Sequence, residues 1–149
     1  MNDRRLQKGS APIELVLAIG LILIPMALLS LSFGPYLERM VLVRVAAAAA
    51  ARELVLSDGS EEGVVALVAE IARNHGVQVS DVGVGFCGGV VRPVTERPGP
   101  GCGPPAKGGE LTVTVHVGVP ALVTPYGELG ELTARASHTE MVGLYRSTR

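Results

Sequence analysis

Lys8-Gly9-Ser10-Ala11-Pro12-Ile13-Glu14 leads directly into Leu15–Phe33, a 19-residue run without a single charge. As a helix rising 1.5 Å per residue, that run is about 28 Å long, close to the ~30 Å hydrocarbon core of a bilayer. Arg4, Arg5 and Lys8 precede it, with Asp3 as the one opposing acid. A basic flank of this kind stays on the cytoplasmic side, so the rest of the chain is expected to cross. Glu14 is the anomaly. A carboxylate in a membrane segment costs roughly 2.5–3.5 kcal/mol at the bilayer centre and less near its edge, so such a residue calls for a partner.

A cut after Gly9 would make Ser10 the first residue of the mature chain and Glu14 its fifth. A basic leader, a glycine before the cut, small residues after it and a glutamate at the fifth position form the pattern of class III signal peptides. Lys8-Gly9-Ser10-Ala11-Pro12-Ile13-Glu14-Leu15 and the apolar run resemble the start of a type IV pilin-like protein. More narrowly, they are similar to a TadE/TadG-like minor pilin, or pseudopilin, of the tight-adherence (Flp-type) pilus. The resemblance covers about the first third of the chain; beyond it only the layout of elements agrees. It implies a non-enzymatic structural component or assembly factor, cut between Gly9 and Ser10 by a separate prepilin peptidase. It also implies that Glu14 meets the new α-amino group of a neighbouring subunit and sets axial register. The implied partners are the peptidase, an inner-membrane platform protein, an assembly ATPase and other pilins, with self-association through residues 15–55. Major pilins of this type are much shorter, so the outer domain favours an accessory role.

Working outward from the span, Pro12 suits a first helical turn, where its missing N–H has no partner to lose. Pro25, and Gly34-Pro35 at the membrane exit, are expected to bend the helix. The pattern from Tyr36 continues through six alanines, 46–51, to Leu56. Asp58-Gly59 stops it, for a helix of about 65 Å over residues 12–56. Small residues allow close helix contacts, and the alanine tract is read as packing in a bundle of stalks. Ser60-Glu61-Glu62-Gly63 opens a second helix, with Val64, Val65, Leu67, Val68, Ile71 and Ala72 on its apolar face and Gly76 beyond its end. Strand signals follow at Val77–Phe86, Val90-Val91, Leu111–Val117 and Leu132–Met141. Residues 93–109 are rich in Pro and Gly and read as a loop. Residues 120–130, apolar with two prolines, are expected along the membrane surface or the stalk. The expected fold is α+β: a long transmembrane and stalk helix, a second helix, and a small antiparallel sheet of three or four strands. Three segments result: a cytoplasmic leader, 1–9; the transmembrane and stalk helix, 10–56; and an extracytoplasmic domain, 57–149. The protein is thus expected in the cytoplasmic membrane, single-pass, with its C-terminal domain outside.

The full chain has 149 residues and a net charge of −1, so it carries no basic nucleic-acid footprint. Cys87 and Cys102 are its two cysteines, and outside the cytoplasm they are expected to form a disulfide. A metal or redox pair would call for further ligands or C-x-x-C spacing. Gly83-Val84-Gly85-Phe86-Cys87-Gly88 matches G-x-G-x-x-G. The following Val90-Val91-Arg92-Pro93 cannot open the helix that a dinucleotide site needs, so the glycines are read as a bulge or strand end. His75, His116 and His138 are scattered, and no nucleophile or metal-binding spacing accompanies them. No catalytic residue, cofactor or metal is therefore expected. The rival readings are an uncleaved single-pass membrane protein with an outer binding domain, and a secreted domain starting near 34 or 52.

Overall fold

The computed structural model describes residues 11–98, 101–103, 106–124 and 126–143. The elements run α1 (Ala11–Leu56), α2 (Glu61–Asn74), β1 (Val82–Phe86), β2 (Arg92–Pro93), β3 (Glu110–Thr124) and β4 (Gly127–Met141). The fold is α+β, with one antiparallel sheet in the order β2-β1-β3-β4.

α1 is a single helix of 46 residues, about 69 Å long. It continues through both Pro25 and Pro35. Its end is set by chain geometry: Asp58 and Gly59 adopt positive φ, and the Gly59 N–H donates to the Leu54 carbonyl at 2.9 Å. That bond satisfies a carbonyl the helix leaves open. α2 ends in the same way. Gly76 sits at φ +66° and the Val77 N–H donates to Ala72 O at 2.9 Å.

Leu42, Val43, Ala46, Ala47, Ala50, Ala51 and Leu54 are all buried. They recur at helical spacing on one side of α1, the stripe expected of a helix laid on a core. Their partners are Val64, Val68 and Ala72 of α2 and the alternating inward residues of the sheet, chiefly Val113, Val115, Val117 and Val119. The alanine tract thus differs from its expected use. Its buried members pack within the chain's own domain, where lack of bulk lets sheet and α2 approach the α1 backbone. Only Ala48 and Ala49 of the tract keep partial exposure. The packed unit thus includes α1 from near Leu42 onward.

Three strand expectations shift. Residues 79–81 form a 3₁₀ turn instead of strand, with Asp81 N–H donating to Gln78 O at 3.0 Å. Val90-Val91 is not a strand: Cys87 and Gly88 turn at positive φ, Gly89 N–H closes onto Phe86 O at 2.8 Å, and Val90 faces solvent. The chain is back in register only at Arg92–Pro93, where a proline is tolerated on an edge strand. β3 is the largest change, running on through Pro120 to Thr124. The Cys87 N–H donates to Thr112 O at 2.8 Å, so by alternation the even-numbered residues of β3 turn toward β1. β1 pairs only as far as Val117, so the missing N–H of Pro120 forfeits no ladder bond.

Candidate membrane span and assembly surface

Across residues 12–33 of α1 every face is apolar and, apart from half-buried Gly20, Leu28 and Ser32, bare. Leu15, Leu17, Leu21, Ile22, Leu23 and Ile24 are all at least 60 % exposed. A helix apolar on every side belongs in a large core or in lipid, and this half has no core of its own. α1 is long and apolar enough to cross a membrane. Glu14 lies in its first turn, is exposed, and is the only formally charged residue from Ala11 to Leu37. Gly9 and Ser10, the expected cleavage pair, lie outside the described residues.

Polar groups inside the span are turned back on the helix. Ser30 Oγ donates to Met26 O and Ser32 Oγ to Leu28 O, each at 2.9 Å. Ser32 also accepts: the Val123 N–H of β3 donates to its Oγ at 3.1 Å. This bond ties the β3–β4 hairpin to the last apolar turn of α1. Nothing in the sequence pattern singled out Ser32. The available signal was the absence of formal charge from Leu111 to Gly127, which marks a hairpin able to run down beside an apolar helix.

About two helical turns outward, a cavity of about 310 Å³ opens between α1 and the hairpin. Arg39, Asp81, Glu128 and Glu131 line it, and Arg39 Nη1 is buried there without a hydrogen-bond partner. The lining holds no hydroxyl, thiol or imidazole among the described residues. Its charged groups are one cation and three carboxylates, a set suited to electrostatic contact.

Cys87 and Cys102 form a disulfide, with Cα atoms 5.3 Å apart. It fastens the Pro/Gly loop to the end of β1. At Gly101 a Cβ would overlap the Glu61 carboxylate, so glycine lets that loop close over the start of α2. Burial there raises the Glu61 pKa above the ordinary carboxylate value. G-x-G-x-x-G is a strand and its turn: Gly83 leaves room for the His116 ring and Gly85 for Val91. His116, half-buried on the outer face of β3, has its pKa lowered by burial and then by the charge of Arg135. His75 caps the end of α2, and His138 lies 3.4 Å from Glu140 on β4. The structure therefore brings none of the three histidines together. Among the described residues no group of three or more His, Cys, Asp or Glu is placed to hold a metal ion.

No protein-family profile, curated protein or solved structure matches this chain.

Proposed function

We propose that this protein is a minor pilin or pseudopilin of the Tad (Flp) type, a structural component or assembly factor of a type IV pilus. One observation carries the reading: a single carboxylate, Glu14, stands at the mouth of a bare apolar helix, five residues after Gly9. In this reading prepilin peptidase cuts between Gly9 and Ser10. The amino group freed on one subunit then lies beside Glu14 of the next. An ion pair formed in lipid lowers the cost of the carboxylate and fixes the axial step between subunits. The exposed apolar faces of residues 15–37 first anchor the protein in the bilayer and later pack against neighbouring helices. The domain built on Leu42–Leu54 projects outside the membrane, with its disulfide as a staple. The protein takes no catalytic part and acts as the peptidase's substrate and as a partner of other pilins and platform proteins.

The test is Glu14→Gln in cells that carry the native secretion machinery. Processing and membrane insertion should persist while recovery in sheared surface filaments is lost. Undiminished incorporation of the variant would remove the register role. An uncleaved single-pass anchor, the alternative, predicts that Gly9 and Glu14 are both dispensable.

A further inference from the structure

The β3–β4 hairpin does not stop at the domain. Val119 and Pro120 flank the cavity that Arg39 lines, and Val123 meets Ser32. From Arg39 to Ser32 the helix recedes about 10 Å, and from Pro120 to Val123 the strand advances about 10 Å. β3 thus descends α1 toward its N-terminus at matching pitch. Tyr126, at the tip, lies roughly 5–8 Å beyond Val123. That is one helical turn or more below Ser32, level with Leu28 inside the apolar run.

The tip is suited to that depth. Tyr126 is fully exposed, Leu129 is 59 % exposed, and Leu122 and Val123 are half-buried. No formally charged residue occurs from Leu111 to Gly127; Glu128, opposite Val123 in the ladder, and Glu131 are the acids that follow, and both line the Arg39 cavity. The Val123 and Tyr126 N–H groups and the Gly127 carbonyl find partners within the protein, as low-dielectric surroundings require. Thr124 Oγ1 donates to Gly127 O at 2.6 Å and accepts from the Tyr126 N–H at 3.3 Å, while Ser32 holds the Val123 N–H. Tyrosine is itself a residue of the membrane–water interface, where its ring is buried and its hydroxyl stays wet.

The geometry points to a second membrane contact: the hairpin tip, Leu122–Thr124 with Tyr126 and Gly127, is an interfacial foot that rests where the outer leaflet's headgroups meet the acyl chains of a phospholipid bilayer, with Tyr126 as its anchor. The inference rests on α1 spanning the membrane, and it adds that the domain is held at a fixed tilt instead of swinging on α1. Extraction of the helix into a filament must then also lift the foot out of the lipid.

The chain has no tryptophan, so one introduced indole is the sole reporter of its site. Full-length Tyr126→Trp and Leu23→Trp are reconstituted separately in phosphatidylcholine–phosphatidylglycerol vesicles whose acyl chains are brominated near the headgroup or near the chain end. The expected result is blue-shifted emission for both. Headgroup-proximal bromine should quench Tyr126→Trp most, and chain-end bromine should quench Leu23→Trp most. Quenching of Leu23→Trp alone, with Tyr126→Trp emitting as in water, overturns the foot and leaves the span intact. Loss of quenching at Leu23→Trp overturns the span, and with it the inference.

Discussion

The two halves of α1 share one helix and meet opposite surroundings. From Ile13 to Leu37 the large apolar side chains other than half-buried Leu28 are 38–79 % exposed and point in every direction. From Leu42 to Leu54 the buried positions form a single stripe at 0–1 % exposure, four of them alanine. Bulk on all faces fits a medium that surrounds the helix. A stripe of small residues fits a sheet that must come close on one side. The changeover occurs at Glu38-Arg39, where charge returns to the sequence. Helix formation alone does not separate membrane from domain; side-chain size and angular distribution do.

The sharpest way to break that contrast is to delete volume on each side of it. Leu54→Ala should cost the domain about 2–5 kcal/mol, the range for truncating a buried leucine. Leu21→Ala, at a site 79 % exposed, should leave domain stability unchanged. Urea denaturation in detergent micelles, followed by far-UV circular dichroism, compares the two. Equal losses would mean that the first half of α1 is part of the folded core after all.

Next in size is the disulfide. Replacing Cys87 and Cys102 together by serine should lower stability by about 3 kcal/mol, the chain-entropy value for a loop whose ends are 15 residues apart. The loss should fall on the outer domain alone. Altered protection of the α1 backbone below Ser32 would show that the two regions are coupled through more than the hairpin.

The hairpin link itself is a smaller effect. Ser32→Ala removes the acceptor of the Val123 N–H, a bond of net worth about 1 kcal/mol, together with the hydroxyl's own bond to Leu28 O. Amide exchange at Val123 should therefore accelerate about fivefold, with little change in global stability. Unchanged exchange at Val123 would detach the hairpin from the helix.

The smallest effect is a pH dependence confined to the domain. His116 has a lowered pKa in the folded protein, so the unfolded chain binds its proton more readily. Stability should be undiminished above the ordinary histidine value of about 6.5 and should fall as pH drops below it. Urea midpoints at successive pH values measure the slope, and His116→Phe should flatten it. A slope of the opposite sign would mean that the folded site stabilises the charged ring.

Much of this fold could be read from residues in order. The apolar run, the alanines and Asp58-Gly59 bounded α1, because periodicity and terminators act locally. The Gly76 end of α2 and the alternation of Leu111–Val117 were equally plain. What escaped reading depended on distant partners. Pro120 falls in a segment that reads as running along the membrane surface or the stalk, and only the extent of β1 decides that its missing N–H is harmless to a strand. Val90-Val91 looked like a strand, and the left-handed turn at Cys87-Gly88 displaces it. The alanine tract showed its smallness but not what would use it. Of the candidate site, Glu14 and the cysteine pair stood out by chemistry. Ser32, Arg39 and Tyr126 gain significance only once the hairpin is laid along α1.

The most direct measurement of the central claim is the intact mass and N-terminal sequence of the protein recovered from membranes of cells carrying its own secretion machinery. The account predicts a mature chain that begins at Ser10 and keeps Glu14 and the whole apolar run. A chain that still begins at Met1 or Asn2 would contradict prepilin processing and leave a plain single-pass anchor. A start near residue 34 or 52 would contradict the membrane span itself.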